Sequence, residues 1–264
     1  MLELFHPGPS IATTLAAVAV TFALRVPLAY APAVLWSVAV PMLLAQLAIS
    51  VLNDWADRAL DARAGRRRAL EIGVLRPGAA LALAGALAVA ALASTWAAGD
   101  GPEATLLLAL GIVAGFAYDL WLKPTPLSFL PFAFAFPLLV VWVTSVVGYG
   151  PPAWIVFLGG APLAVAIHLA DSIPDLGPDE RSGVRNLAVV LKERGASRAG
   201  AVLLLGGAAA LALASVRANP WLAAFILLIG IGAGLAFNAG MTSRWIAAPA
   251  AGIVTVAWLT IAPW

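Results

Sequence analysis

The sequence predicts an all-α membrane protein with nine transmembrane helices. Apolar residues make up 62% of its 264 residues, and the mean hydropathy is +0.98. Apolar runs of about 20 residues, the length that spans a bilayer, recur along the whole chain. The runs are continuously apolar and do not alternate with polar positions, which disfavours a membrane β-barrel. We therefore interpret residues 1–264 as a single membrane domain.

The nine apolar runs are separated by connections of two kinds. The connections at residues 98–103 and 148–152 are short and contain glycine and proline, as tight turns do. The connections after the second and sixth runs are longer and polar, so they alone have room to form a cap. The predicted spans are residues 11–30, 33–52, 79–98, 104–122, 127–147, 153–170, 200–216, 220–240 and 245–263.

The basic residues predict the orientation of the chain. Of the fifteen Lys and Arg residues, all except Arg25 and Arg217 fall on one side of the predicted bilayer. The positive-inside rule therefore places the amino terminus and both long connections in the cytoplasm. Residues 1–10 lack the basic start of a secretory signal, so we expect no cleaved signal peptide. The chain has no cysteine, which excludes disulfides and thiolate metal sites.

Two polar segments repeat the same pattern 118 residues apart, each at the end of a long apolar run. Five of six positions carry the same residue type, and the sixth exchanges Asn for Asp. Chance rarely produces such a match in a chain with only 11% charged residues. The first segment carries Asn53, Asp57, Asp61, Arg63, Gly65 and Arg67, and the second carries Asp171, Asp175, Asp179, Arg181, Gly183 and Arg185.

The first segment has the spacing of a metal and phosphate site. On a helix, Asn53, Asp57 and Asp61 lie within about 80° of one face, and Asp54 falls on the same arc. Like charges in this arrangement repel one another, and their position beside lipid is costly. A bound Mg²⁺ uses such carboxylates together with substrate phosphates, and arginine binds phosphate oxygens bidentately. The presence of two segments in register disfavours the alternative, a solvated cluster of carboxylates and arginines.

Several neighbouring residues have simpler interpretations. In the second segment, prolines and glycine around Asp175 disfavour a regular helix beyond that residue. His168 is expected to have a packing or hydrogen-bonding role, and Asp119 is expected to pair with Lys123. Arg25 falls inside the first predicted span and is expected to extend toward the interface.

Four stretches of this sequence resemble motifs of the UbiA superfamily of intramembrane prenyltransferases. Residues 53–61 (NDWADRALD) and 171–179 (DSIPDLGPD) are similar to the two aspartate-rich motifs of that superfamily. Residues 181–189 (RSGVRNLAV) and 118–123 (YDLWLK) resemble its other conserved segments. The resemblance covers the whole chain. It implies nine transmembrane helices around a central cavity, with a small cytoplasmic cap formed by the connections after helices two and six.

The resemblance also implies an activity. It is Mg²⁺-dependent transfer of an isoprenyl group from a prenyl diphosphate to an acceptor within the membrane, through ionisation to an allylic carbocation. The implied acceptor is lipophilic or aromatic, of the quinone-precursor type. Two Mg²⁺ ions are implied, with ligands from Asn53, Asp54, Asp57, Asp61, Asp171, Asp175 and Asp179; the six aspartates are also the implied catalytic residues. The implied substrate-binding residues are Asn53, Arg63, Arg67, Tyr118, Lys123, Arg181 and Arg185.

The resemblance implies a location and partners as well. We expect an integral protein of a bacterial or archaeal cytoplasmic membrane, with the active site facing the cytoplasm. The expected partners are the prenyl diphosphate, the acceptor and membrane lipid. Neither a nucleic acid nor an obligate protein partner is indicated.

Two other functions remain as alternatives. A CDP-alcohol phosphotransferase also uses intramembrane aspartates and metals, but its single motif begins with Asp-Gly, which begins neither segment here. A cation-coupled transporter would place acidic groups near the middle of the spans, whereas the acidic groups of this chain lie at the ends of the spans.

The sequence departs from the prenyltransferase pattern at two places that bear on recognition of the acceptor. It has Arg68-Ala69 in place of Lys-Pro and His6-Pro7 in place of Arg-Pro.

Overall fold

The structure of the protein, a computed structural model, describes residues 7–63, 75–239 and 244–261. Within these ranges it contains nine long helices and no strand, so the predicted all-α class is confirmed. The helices are α1 (Pro7–Ala23), α2 (Val40–Arg63), α3 (Pro77–Ala97), α4 (Gly101–Ala117), α5 (Leu130–Val147), α6 (Ala153–Ser172), α7 (Leu187–Ser215), α8 (Pro220–Asn238) and α9 (Arg244–Ile261).

Short turns of other helical types extend four of these helices. The segment that leads into α2 consists of a 3₁₀ turn, a short α-helix and a π turn. A π turn continues α4, a 3₁₀ turn precedes α5, and a 3₁₀ turn followed by a short helix continues α6. In chain order these are Leu28–Tyr30, Ala31–Val34, Leu35–Ala39, Tyr118–Leu122, Pro126–Phe129, Ile173–Asp175 and Leu176–Arg181.

The helices have the dimensions of membrane spans. With their extensions, seven of the described helical stretches are long and apolar enough to cross a bilayer. The other two, α1 and the residues 246–261 of α9, are apolar but shorter. The nine predicted spans correspond in order to the nine helices. The structure therefore agrees with an integral membrane protein.

The first predicted span was too long. Residues 11–30 were expected to form one helix, but α1 ends at Ala23. Arg25 has a φ of +66°, and Pro27 cannot donate the backbone hydrogen bond that a continuing helix needs. The Arg25 side chain does not lie inside a span, because it follows α1 and its Nε donates a hydrogen bond to the Thr260 carbonyl (3.0 Å).

The seventh predicted span began too late. Its expected start was residue 200, whereas α7 begins at Leu187. Asn186 caps the helix, since its Oδ1 accepts a hydrogen bond from the Val189 N–H (2.9 Å). The first turns of α7 are polar, so hydropathy alone does not detect them. The helix is interrupted at Lys192, where φ is +60° and ψ is 166°.

Glycine allows two of the central helices to pack closely. A Cβ atom at Gly207 on α7 would lie 2.7 Å from the Gly159 carbonyl oxygen on α6. A side chain there would force the two backbones apart, so the contact depends on glycine. The contact joins α7 closely to α6, the helix that ends at the second aspartate-rich segment.

Candidate active site

A cavity of about 400 Å³ lies between α1, α2, α4 and α5. Most of its wall is apolar, although Thr13, Gln46 and Ser50 also line it, and four polar side chains gather at one end. They come from both aspartate-rich segments and from the end of α4. Thus the two repeated segments, far apart in sequence, meet at one cavity. The four residues are Asn53, Tyr118, Asp119 and Asp171.

Asn53 and Asp119 form the first link across the polar end. The Asn53 Nδ2 donates a hydrogen bond to Asp119 Oδ1 (2.7 Å). Asp119 is buried, and it is placed there by the π turn Tyr118–Leu122, whose wider turn changes the direction of the side chains that follow. The expected pairing of Asp119 with Lys123 is therefore wrong, because the Asn53 amide is the donor to Asp119 Oδ1 and the Lys123 ammonium pairs with another carboxylate.

Lys123 pairs instead with Asp57. Its Nζ lies 2.5 Å from Asp57 Oδ2, and the side chains are 33% and 16% exposed. Asp57 follows Asn53 by one helical turn, and Lys123 likewise follows Asp119. The ends of α2 and α4 therefore run side by side in the same direction. A lysine and a carboxylate are held together at the rim of the cavity, where a phosphate could compete for the lysine.

The other residues of the first segment lie apart from this rim or outside the described structure. Asp54 is almost fully buried, at 2% exposure, and is not among the residues that line the cavity. Asp61 and Arg63 end α2, but their side chains are outside the described part of the chain. Arg67 and Gly65 also lie outside it. The predicted roles of Asp61, Arg63 and Arg67 therefore stay predictions.

The second segment enters the cavity only at its first residue. Asp171 lines the cavity from the last turn of α6. The regular helix stops at Ser172, and a 3₁₀ turn that contains Pro174 follows. The interruption therefore comes before Asp175, and the short α-helix Leu176–Arg181 follows this residue, where the sequence disfavoured a regular helix. Asp175 is exposed at the end of this turn. Asp179 is half-buried and accepts a hydrogen bond from Asn186 Nδ2 (2.7 Å).

The two arginines of the second segment lie on the surface. Arg181 and Arg185 are exposed. The Arg185 N–H donates a hydrogen bond to the Pro124 carbonyl (3.0 Å), next to Lys123. Gly183 has a φ of +80°, a conformation that glycine adopts without strain, and it lies in the turn that follows the short helix Leu176–Arg181. The turn brings the basic segment beside the end of α4.

Tyr118 lies where the two segments converge. The charges of Asp57, Asp119, Asp171 and Asp179 all act on its hydroxyl group. Its ring lies edge-on to the ring of Phe132, with the centroids 5.3 Å apart. Tyr118 therefore lies within the electrostatic range of carboxylates from both segments.

A buried hydrogen-bond network joins α6 to the starts of α5 and α7 beside the polar end of the cavity. His168 is 1% exposed, and its Nε2 shares a hydrogen bond with Ser128 Oγ (2.9 Å). The Leu187 N–H also donates to Ser128 Oγ (3.2 Å). The His168 ring lies 4.5 Å from that of Phe132. The expected packing and hydrogen-bonding role of His168 is confirmed.

Sequence reasoning missed two residues that hold the site together. Asn186 caps α7 and at the same time binds Asp179. Asn186 could have been identified from the sequence, since an asparagine just before a helical stretch is a typical N-cap. Ser128 joins the starts of α5 and α7 to α6, and no local pattern marks it.

The side chains at the polar end fit Mg²⁺ by their chemistry. Asn53 and Asp171 at the polar end, and Asp57 at the rim, offer oxygen ligands, which hard divalent cations prefer. Within the described residues, no three His, Asp or Glu side chains already form a closed ligand set. Mg²⁺ commonly uses one or two carboxylates together with substrate phosphates, so it does not need such a set. The site fits a metal that binds together with a phosphorylated substrate.

Comparison with known proteins agrees with this geometry. The UbiA prenyltransferase family profile matches residues 10–262, almost the whole chain. A search of curated protein sequences found no match.

Solved structures share the fold over nearly their full length. A UbiA homolog from Archaeoglobus fulgidus bound to GPP and Mg²⁺ has a TM-score of 0.76 and 19% identity, covering 98% of this chain and 96% of that one. The homolog from the same organism bound to DMAPP and Mg²⁺ has a TM-score of 0.72 and 21% identity, with the same coverage. A digeranylgeranylglyceryl phosphate synthase has a TM-score of 0.71 and 14% identity, also covering 98% and 96%.

Proposed function

The chain belongs to the UbiA prenyltransferase family, and we propose that it transfers an isoprenyl group from a prenyl diphosphate to an aromatic acceptor of the quinone-precursor type. The reaction takes place within the membrane and depends on Mg²⁺. Family membership favours this activity over a CDP-alcohol phosphotransferase or a cation-coupled transporter.

One observation carries the proposal, namely the two-part character of the cavity. Asn53 and Asp171, one from each repeated segment, line its polar end, and a mainly apolar wall, in which Gln46 and Ser50 are polar exceptions, continues behind them. A prenyl diphosphate has the same two parts, a doubly phosphorylated head and a hydrocarbon tail. The head fits the polar end, and burial of the tail against the apolar wall contributes binding free energy.

The head of the donor is held by cationic and amide groups at the rim. Lys123 donates to a diphosphate oxygen in exchange for its present partner, Asp57. Arg181 and Arg185, together with Arg63 and Arg67, add guanidinium donors on the cytoplasmic side, where bidentate phosphate contacts are favourable. Arg181 and Arg185 are exposed in the structure.

The residues that would hold the metal come from both segments. They are Asn53, Asp54, Asp57 and Asp61 in the first, and Asp171, Asp175 and Asp179 in the second. Two bound Mg²⁺ ions would stabilise the negative charge that develops on the departing diphosphate. Asn53 keeps its amide oriented through Asp119, which prepares it to face the head group.

The chemistry that follows is substitution at the allylic carbon. The bond between this carbon and the diphosphate oxygen breaks, and its electron pair leaves with the diphosphate. The electron-rich faces of Tyr118 and Phe132, both lining the cavity, stabilise the positive charge on the allylic fragment. A π-electron pair of the acceptor ring forms the new bond, and the ring then loses a proton.

The known structures suggest donors for a first experiment. The Archaeoglobus fulgidus homolog is bound to GPP or DMAPP with Mg²⁺, so we propose the same class of donor here. The acceptor reaches the allylic carbon from the membrane. We place the protein in a bacterial or archaeal cytoplasmic membrane with its amino terminus and active site toward the cytoplasm, because the basic residues lie on that side.

Purified protein in lipid, incubated with labelled prenyl diphosphates and a panel of hydroxybenzoates and naphthoates, tests the proposal. We expect a labelled lipophilic product that disappears with EDTA and returns with Mg²⁺. A Glu103→Gln variant, altered at an exposed acid in the first turn of α4, is the control and should keep full activity. Absence of product and of diphosphate release with every donor would refute the proposal.

A further inference from the structure

We propose that Trp142 forms the closed inner end of the cavity and thereby limits the isoprenyl tail of the donor to about three isoprene units, as estimated from the length of an extended chain. This inference rests on the proposed function, because it assumes that the isoprenyl tail occupies the cavity. It adds a residue that selects among donors. Trp142 lies on α5, away from the residues to which a catalytic role was given above.

Three helices place the inner end at the same depth. Along α2 the cavity wall runs from Asn53 to Met42, and on the α4 segment it runs from Tyr118 and Asp119 to Leu107. Along α5 it runs from Pro131 to Trp142. Each stretch covers about eleven residues, so with a rise of about 1.5 Å per residue the cavity is about 16 Å deep.

This depth can be compared with the length of an isoprenyl chain. An extended peptide advances about 3.5 Å for three backbone bonds, and an isoprene unit contributes four chain bonds, or about 4.7 Å. A depth of about 16 Å therefore holds about three extended units. A fourth unit would have to displace a side chain at the inner end or leave between the helices.

Trp142 is the side chain best suited to block a fourth unit. It is 1% exposed and is among the largest fully buried side chains in the described structure. Its neighbours at this depth, Met42 and Leu107, are flexible and smaller, whereas an indole ring is rigid. Among the described residues, no group accepts a hydrogen bond from its buried Nε1. The proposed role therefore depends on the size and rigidity of the indole ring and not on a hydrogen bond from it.

A donor series measures the proposed limit. Wild-type protein is assayed with geranyl, farnesyl and geranylgeranyl diphosphate, each at limiting concentration, and kcat/KM is compared. We expect transfer of the two shorter chains and at least tenfold weaker use of geranylgeranyl diphosphate. In Trp142→Ala the ratio of geranylgeranyl to geranyl transfer should rise at least tenfold, and Trp142→Phe should give a smaller rise.

A matched variant separates this effect from general loosening of the protein. Trp258 on α9 is also 1% exposed, but it does not line the cavity. Trp258→Ala should leave the donor ratio unchanged even if it lowers the thermal stability. The assay compares donors in one preparation, so partial loss of folded protein does not change the donor ratio. In addition, Trp142→Phe keeps an aromatic ring and is the milder substitution.

The possible failures are distinguishable. An active wild-type protein whose donor ratio is the same in Trp142→Ala and Trp142→Phe would overturn this inference and leave the proposed function standing. The same holds for a wild-type protein that uses geranylgeranyl diphosphate as well as geranyl diphosphate. A wild-type protein that transfers none of the three chains would overturn the proposed function, and this inference with it.

Discussion

The ammonium group of Lys123 lies 2.5 Å from the Asp57 carboxylate, although the two residues are 66 positions apart in the sequence. One helical turn away, Asn53 bonds to Asp119 across the same two helices. These two contacts join the first aspartate-rich segment to the end of α4. They also position the Lys123 ammonium, which would bind the diphosphate, and the Asp57 carboxylate, which would bind its metal ion.

Replacing Lys123 should weaken donor binding. In Lys123→Ala, we expect KM for the prenyl diphosphate to rise roughly 10- to 100-fold, because a charge-assisted hydrogen bond worth about 1.5–3 kcal/mol is lost. Steady-state kinetics over a range of donor concentrations measure this. The chain offers a matched control in Lys192, which pairs with Glu180 (2.6 Å) but is 67% exposed. A surface pair of this kind contributes little, so an equal effect of Lys192→Ala would count against a specific role for Lys123.

The Asn53–Asp119 bond makes a prediction about charge. The second segment carries Asp171 where the first carries Asn53. Nevertheless, Asn53→Asp should lower the stability of the protein, because the new carboxylate would face the buried Asp119 carboxylate, which has the same charge. We expect a loss of about 1–3 kcal/mol in the free energy of unfolding, seen as a lower midpoint of thermal unfolding in detergent. The double variant Asn53→Asp/Asp119→Asn should recover most of this loss, since an amide again faces a carboxylate. Additive losses in the double variant would show that the two side chains are not coupled.

Asn186 has two functions that a pair of variants can separate. Asn186→Ala and Asn219→Ala each remove an N-cap, from α7 and α8 respectively, so each should cost about 1 kcal/mol of stability. Only Asn186 also binds Asp179. We therefore expect a higher KM for the donor in Asn186→Ala alone, measured beside thermal unfolding of both variants. Equal donor KM values in the two variants would contradict a role for Asp179 in donor binding.

Ser128 should matter for stability. Ser128→Ala leaves the Leu187 N–H and His168 Nε2 without their buried partner, at a cost of about 1–3 kcal/mol. In contrast, the Ser94 hydroxyl donates only within its own helix, to the Ala91 carbonyl, and Ser94→Ala should change stability by less than about 0.5 kcal/mol. Thermal unfolding of both variants provides the comparison. If Ser128→Ala unfolded at the wild-type temperature, the network would not support the site.

The order of the helices and the position of both aspartate-rich segments could be predicted from sequence. Hydrophobic length and the distribution of basic residues depend only on local composition, so they identified nine spans. Helix ends were less accurate. Hydropathy could not detect that the polar turns after Asn186 are helical, nor that Arg25 adopts a positive φ that ends the first helix.

The pairing of side chains at the site could not be predicted. The sequence placed Lys123 four residues after Asp119, which suggests a local ion pair, but the contact actually formed depends on how α2 packs against α4. The π turn at Tyr118–Leu122 adds a further change of direction that no periodicity in the sequence marks. Tertiary packing therefore decided which carboxylate met which cation.

The central claim is that both segments act on one diphosphate at the polar end of the cavity. The most direct test is Mg²⁺-dependent binding of a non-reactive thiolo analogue of geranyl diphosphate, measured calorimetrically for wild type, Asp57→Asn and Asp171→Asn. We predict that the wild-type protein binds the analogue only with Mg²⁺, and that each substitution weakens this binding at least tenfold while the fold persists. Unchanged affinity in either variant would contradict the claim, because it would show that the corresponding segment does not contact the diphosphate or its metal.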